Sequence, residues 1–210
     1  MQPDDELRRH ELRQQARGAR RALSDEERAA AAAALRHQLE SLSAFIDALR
    51  VGGYAAVGTE ISLEASIDGA LRRGQHVYFP HIEHSAPEMR FAHWTGQTRR
   101  MLPNRFGIPE PLVDAAQLVG AETLDVILLP LVAFDRAGGR LGSGAGFYDR
   151  ALAFRQARTA PPLLIGVGFH CQEVGAIPMA PWDVPLDLIA TDRELIVTEA
   201  GRAATAANDN

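Results

Sequence analysis

Residues 126–132 form an apolar run, Val-Ile-Leu-Leu-Pro-Leu-Val, followed closely by the segment DRAGGRLGSGAGFYDR at 135–150. The run has the length and composition of a buried strand. Beyond the glycines, Phe147, Tyr148, Leu152 and Phe154 are spaced as on a helix. Strand, glycine loop and helix in succession form the unit from which α/β sheets are built. The remaining pattern agrees. A charged segment at 1–21 has helical spacing, and Ser24 with Glu27 makes a capping box opening a helix expected to run to about residue 49. Strands are expected at 51–57, 76–79, 89–94, 125–131, 163–169 and 188–191, a helix at 63–73, and loop at 95–111. The predicted fold is α/β, a three-layer sandwich around a mainly parallel sheet with N-terminal helices. It forms one domain over 1–200, and 201–210 read as a small polar tail expected to be disordered.

The glycine loop is suited to holding phosphate. Gly142, Gly144 and Gly146 alternate, so backbone can approach an anion, and Arg140 and Arg150 bracket them with charge. The G-x-G-x-G spacing is not a dinucleotide fingerprint, and no acidic ribose partner follows about 20 residues on. All 22 basic residues are arginine. That excludes a Walker A loop, which ends in lysine, and a lysine Schiff base. A phosphate site here must run on guanidinium and backbone N–H groups.

Asp149 at the loop's end and Asp183 after the next strand are candidate Mg²⁺ ligands, since nucleotide-bound Mg²⁺ takes one or two carboxylates. A helix cap at Asp149 and an Asx turn at Asp183 fit the same spacing. Glu60, just past the first expected strand, belongs to the same sheet edge. There it can accept hydrogen bonds from a heterocycle or favour a helix N-terminus. His76, His81 and His84 with Glu83 lack a fourth ligand at fitting spacing and read as surface residues. Cys171 and His170, adjacent on a strand, would point to opposite faces, so the thiol reads as inert.

A net charge of −5 argues against nucleic acid as main partner. Residues 1–21 lack the apolar core of a secretion signal, no run is long enough to span a bilayer, and one cysteine suits a reducing compartment. A cytoplasmic protein that binds neither membrane nor nucleic acid is expected.

The segment LLPLVAFDRAGGRLGSGAGFYDRAL resembles the 5-formyltetrahydrofolate cyclo-ligase family, also called 5,10-methenyltetrahydrofolate synthetase. Further matches follow in the family's order: Arg9 to Arg13, Thr59-Glu60-Ile61, 106–111 (FGIPEP), Ile165 to Phe169 with Gln172, then Asp183, Asp187 and Ala190-Thr191-Asp192. The resemblance spans about residues 6–195. It implies ATP- and Mg²⁺-dependent closure of 5-formyltetrahydrofolate to 5,10-methenyltetrahydrofolate, with ADP and phosphate released, by a monomer. It implies that Arg9, His10, Glu11, Leu12 and Arg13 contact ATP together with Arg140, Leu141, Gly142, Ser143, Gly144, Ala145, Gly146, Phe147 and Tyr148. Arg140 and Tyr148 would be catalytic. Ala55, Glu60 and residues 143–147 would contact the folate, and Asp149 and Asp183 would hold Mg²⁺. Arg9 replaces a common lysine, and Ser143, Ala145 and Phe147 replace commoner Arg or Tyr, Lys or Gly, and Tyr. Arg9 keeps the charge in a different geometry. Two other functions fit a glycine loop on such a scaffold. A sugar-phosphate isomerase or acyl-CoA transferase would need a general base and no ATP, and a non-catalytic binder would release no ADP.

Overall fold

The computed structural model describes residues 2–82, 88–96, 101–158 and 160–202. Helix α1 spans Pro3–Ala22, α2 Asp25–Glu40, α3 Ser43–Ile46, α4 Glu64–Arg72 and α5 Phe147–Ala151. Among the described residues the strands are β1 Arg50–Gly52, β2 His76–Ile82, β3 Met89–Trp94, β4 Met101–Pro103, β5 Pro109–Pro111, β6 Leu118–Val119, β7 Val126–Pro130, β8 Ala133–Phe134, β9 Arg140–Leu141, β10 Leu163–Val167, β11 Leu188–Ala190 and β12 Leu195–Val197. Eight of them form one sheet in the order β12-β11-β10-β7-β1-β2-β3-β6. Its centre, from β11 to β2, is parallel. Strands β12, β3 and β6 add antiparallel edges. The mainly parallel α/β sandwich predicted from sequence is therefore present.

Alternation along the central strands builds the two layers of core. Val126 and Leu128 of β7, with Ile165 and Val167 of β10, pack under α2, α3 and α4 with Leu35, Leu39, Phe45 and Ile67. The intervening Ile127, Leu129 and Leu164 pack on the other face with Leu152, Val184 and Leu186. Both faces are covered, as parallel strands require. That second cover is short α5 and well-packed loop rather than long helix. Among the described residues no helix is long and apolar enough to cross a membrane.

Several expected boundaries move. The Ser24 capping box forms as predicted, with Glu27 N donating to Ser24 Oγ at 3.1 Å and Ser24 N to Glu27 Oε2 at 2.7 Å. The helix it opens stops at Glu40, and Phe45 is buried from the separate turn of α3. The strand expected at 51–57 ends at Gly52. Tyr54 then buries its ring, and its hydroxyl donates to Ile61 O at 2.8 Å, so 53–61 fold back as a loop. The loop expected at 95–111 contains the β4–β5 hairpin, turned at Asn104 to Gly107. Prolines are tolerated there because the hairpin is a two-stranded edge. The ordered chain also passes the expected boundary at 200. Residues 199–202 are helical, Gly201 is buried, and its N–H donates to Thr198 Oγ1 at 3.0 Å. The rest of the expected tail, 203–210, lies outside the described residues.

The N-terminal helix is part of the packed structure. Leu12 and Ala16, one turn apart, are each 1% exposed and pack with Ala133, Leu141 and Ile177. Leu12→Ala is therefore expected to destabilise the protein by about 2–5 kcal/mol, as large-to-small changes in a full core do. Urea unfolding measures this, and a loss no larger than that of an exposed alanine substitution would show α1 to be peripheral.

Candidate active site

Two short segments build the floor of a large cavity. Asp135 is buried and accepts from Ala137 N at 3.0 Å, Gly139 N at 2.8 Å and Ile177 N at 2.8 Å. That carboxylate closes the turn between β8 and β9, which delivers Arg140 to a fixed place. The chain then enters the loop 142–146, where Gly144 and Gly146 have φ of +110° and +68°. An L side chain is strained at both. Ser143, Gly144 and Ala145 are exposed, and the loop ends in α5. At five residues α5 is too short for its dipole to matter much, so an anion bound here would depend on loop backbone and arginine.

The cavity has a volume of about 1020 Å³. It brings together Arg9, His10 and Arg13 of α1, Ala55, Glu60, Arg140, residues 142–148, Asp149, Arg150 and Asp183. Three of the predicted ATP residues stand elsewhere. Leu12 and Leu141 face the apolar core that docks α1, because each is an aliphatic side chain on the inward side of its element. Glu11, on the outward side, is exposed and paired with Arg8 at 3.4 Å.

Charge is concentrated on one wall. Arg140, 6% exposed, donates to Asp149 Oδ1 at 2.5 Å and to Val184 O at 3.3 Å. Arg9 donates to Asp183 Oδ2 at 2.5 Å and Pro178 O at 2.9 Å, and Arg13 donates to Gly142 O at 3.0 Å. Burial lowers the Arg140 pKa, while Asp149 and Asp183 oppose that shift. Desolvation, then Arg9 and Arg17, lowers that of Arg13. Guanidinium remains charged under such shifts. Asp183 also accepts from Ala180 N at 2.8 Å, three residues back, alongside its ion pair. The expected Asx turn is not formed, because the residue two positions on is Pro185, which has no N–H.

A second group of lining residues carries phenols and one carboxylate. The Tyr148 hydroxyl is buried with no hydrogen-bond partner among the described residues. Burial, then the charge of Glu60, raises its pKa well above the ordinary value, so it stays a proton donor. Glu60 accepts from Val57 N at 3.0 Å and so closes a turn rather than opening a helix. Burial raises its pKa, opposed by the Val57 N–H and by Arg20. Phe106 packs edge-on against Phe147 at 5.6 Å between ring centroids, and the Arg150 guanidinium lies 5.1 Å from the Phe147 ring centre.

Sequence reasoning missed Tyr54, Trp182, Phe106 and Glu110 as parts of this cavity. Glu110 is buried and accepts from Ile82 N at 2.9 Å and Asn104 Nδ2 at 2.6 Å, tying the β4–β5 hairpin to β2. Its signal was a carboxylate between two prolines, where a turn-poor, rigid segment leaves it little to do but accept bonds.

Other candidates stay apart. His76 meets His93 at 3.4 Å and His81 meets Glu110 at 3.3 Å, while Glu83 and His84 lie outside the described residues. His170, Glu173 and Glu194 converge within 4.8 Å, yet Arg136 already bridges the two carboxylates at 2.7 and 2.5 Å. Cys171 lies in a 3-10 turn rather than a strand, and burial with Asp192 raises its thiol pKa, as suits an inert residue.

Comparison with known proteins shows the family. Residues 5–192 match the profile of the 5-formyltetrahydrofolate cyclo-ligase family. The 5-formyltetrahydrofolate cyclo-ligase of Haemophilus influenzae is 37% identical over 134 residues, 63% of this chain and 70% of that one. That of Mycolicibacterium smegmatis is 33% identical over 188 residues, 85% of this chain and 94% of that one. The NMR structure of Aquifex aeolicus 5,10-methenyltetrahydrofolate synthetase superimposes with a TM-score of 0.76 at 29% identity, covering 91% of this chain and 93% of that chain.

Glu60 carries a pH-dependent cost. Its folded-state pKa is raised, so between the unfolded and folded values the folded state binds more protons, and stability falls as pH rises through that window. The penalty is fully present above the folded value and absent below the unfolded one. Glu60→Gln is therefore expected to raise the urea midpoint at about pH 8 and leave it nearly unchanged at about pH 4.5. An equal change at both pH values would show that the charge of Glu60 is not the cost.

Proposed function

Because the chain belongs to the 5-formyltetrahydrofolate cyclo-ligase family, we propose that it closes 5-formyltetrahydrofolate to 5,10-methenyltetrahydrofolate at the expense of ATP. The observation that carries this reading is a single cavity in which a buried arginine, a glycine loop, two aspartates and a separate carboxylate wall meet. Its volume, about 1020 Å³, lies at the upper end of single-ligand pockets and suits two ligands.

A formamide oxygen is a poor leaving group and must first be activated. In the proposed reaction the formyl oxygen attacks the γ-phosphorus of ATP, a P–O bond breaks, and ADP departs. The second folate nitrogen then attacks the activated carbon, loses its proton, and phosphate leaves with the former formyl oxygen. Phosphoryl transfer asks a protein chiefly for alignment and charge neutralisation. Arg9, His10, Arg13 and Arg140, with residues 142–148, take the nucleotide. Arg140 neutralises charge that grows on the transferring group, and its hydrogen bonds to Asp149 and Val184 hold it still. The protonated Tyr148 hydroxyl is a donor without a competing partner among the described residues and would serve that group. Glu60, with Ala55 and residues 143–147, takes the folate through amino groups of its heterocycle. A tyrosine ring also suits the flat product cation.

The residues fit Mg²⁺. Asp149 and Asp183 line the same cavity. Among the described residues both hydrogen bonds to Asp149 fall on Oδ1, leaving Oδ2 as a hard oxygen donor. Both oxygens of Asp183 meet Arg9, which would have to yield one of them to the ion. When bound, Mg²⁺ supplies charge neutralisation and alignment of the phosphates. The enzyme is taken to act as a cytoplasmic monomer.

Mixing the protein with 5-formyltetrahydrofolate and Mg-ATP tests the reading. The methenyl absorption band is expected to rise with one ADP per product, and equal product without nucleotide would overturn it. Asp149→Asn keeps the side chain's shape and removes its charge. Its kcat is expected to fall 10²- to 10³-fold, roughly the loss for one preorganised electrostatic contact. A folded variant within a few-fold of wild type across a Mg²⁺ titration would remove Asp149 from the site.

A further inference from the structure

Helix α1 lines the cavity and, farther along, meets the turn that carries Glu60. Arg9 and Arg13 serve its charged wall, and Arg20 lies 11 residues beyond Arg9, about 16 Å along the axis at 1.5 Å per residue. Arg20 is half-buried, and its Nε donates to Thr59 Oγ1 at 3.0 Å. Its Nη1 is buried with no hydrogen-bond partner among the described residues. Thr59 precedes Glu60 in the turn closed by Val57 N on Glu60 Oε2. One guanidinium thus grips the residue beside the carboxylate and has a second nitrogen that is desolvated without a partner among the described residues.

We infer that Arg20 is a positioning residue that fixes the Thr59–Glu60 turn and holds Glu60 ionised for the folate heterocycle. The inference rests on the proposed role of Glu60. The charged and titratable groups facing Glu60 are Arg20 from α1, Tyr54 beyond β1 and Tyr148 from α5. The two phenols have pKa values raised by burial and stay neutral, so Arg20 is the countercharge among them. Arg17 and Arg21 act on Arg20 itself and lower its pKa, as does its burial, while Glu60 raises it. A carboxylate in a desolvated site without that cation would take up a proton and turn from acceptor to donor. Amino groups of a heterocycle would then lose their partner. Through one rigid helix, the seat of the nucleotide and the ionisation of the folate carboxylate are joined.

Affinity for 5-formyltetrahydrofolate, measured by isothermal titration across pH beside KM for each substrate, tests this. Arg20→Met is expected to move the acid limb of folate affinity up by about one pH unit, the smaller end of the effect of a neighbouring charge. On that limb the folate KM rises about tenfold, while the ATP KM changes less than about twofold. Arg20→Lys keeps the charge and is expected to restore the limb. Arg20→Gln keeps a donor for Thr59 and loses only the charge, so it decides the matter if Arg20→Met does not fold. A limb that stays in place in the neutral variants, or equal rises in both KM values, overturns the inference. Wild-type protein that binds the folate without turning it over defeats the proposed reaction and leaves this test standing. Wild-type protein that binds no folate at any pH defeats both.

Discussion

The site depends on the docking of α1 against the β8–β9 hairpin. Leu12 and Ala16 supply the apolar contact, and Arg13 adds a hydrogen bond to the carbonyl of Gly142 in the glycine loop. A helix with so few apolar residues and so many charges would not hold its place by propensity alone. Packing of its one apolar stripe fixes its rotation about its own axis. That rotation turns Arg9 and Arg13 into the cavity and Glu11 out to solvent. The same stripe therefore decides which charges of the segment face the cavity.

Burying arginines beside a cavity is expensive unless each has a partner. Arg140 rests on Asp149, Arg9 on Asp183, and backbone carbonyls of Val184 and Pro178 take further N–H groups. Removing one member of such a pair leaves an uncompensated charge, which costs more than the pair contributes. The aspartates thus orient the arginines, and in the proposed reaction they would also offer oxygen to a cation. Arginine suits this wall because its planar fork bonds a carboxylate and a carbonyl at once, which a lysine ammonium does with less geometric control. A farther pair has a structural role alone: Arg155 meets both oxygens of buried Asp187 at 2.7 and 2.6 Å, and Asp187 accepts from Leu164 N at the start of β10.

The two walls differ in dielectric character as much as in charge. The arginine wall is polar and cross-linked. Around Glu60, Tyr54 and Tyr148 are buried, and desolvation governs both phenols. In the proposed reaction the Tyr148 hydroxyl and the Glu60 carboxylate would discriminate between heterocycles by hydrogen bonding, since an unmatched polar group there is costly, while the Tyr54 hydroxyl is already engaged by Ile61 O.

Much of the architecture was legible in the chain. Apolar runs at 126–132 and 163–167, the Ser24 capping box and the glycine segment lie where their residues predict, because each is a local signal of period, cap or missing Cβ. Arg140, Asp149, Asp183 and Glu60 line one cavity as their positions at strand ends suggested. Other features were decided only by tertiary structure. The early end of β1 follows from burial of Tyr54 against the carbonyl of Ile61, a contact that alternation cannot reveal. The β4–β5 hairpin depends on Glu110 bonding to β2, a partner far off in sequence order. Leu12 reads as one apolar residue in a charged segment until the hairpin that receives it is in place. Arg20 carries no local signal at all, since what distinguishes it from Arg17 or Arg21 is the turn at Thr59 that its helix meets. Sequence alone determined which segments become strands and helices and which residue types are present for chemistry. Which of many arginines face the cavity, and which carboxylate each one meets, was set by long-range packing, because side-chain direction is fixed only when the element is docked.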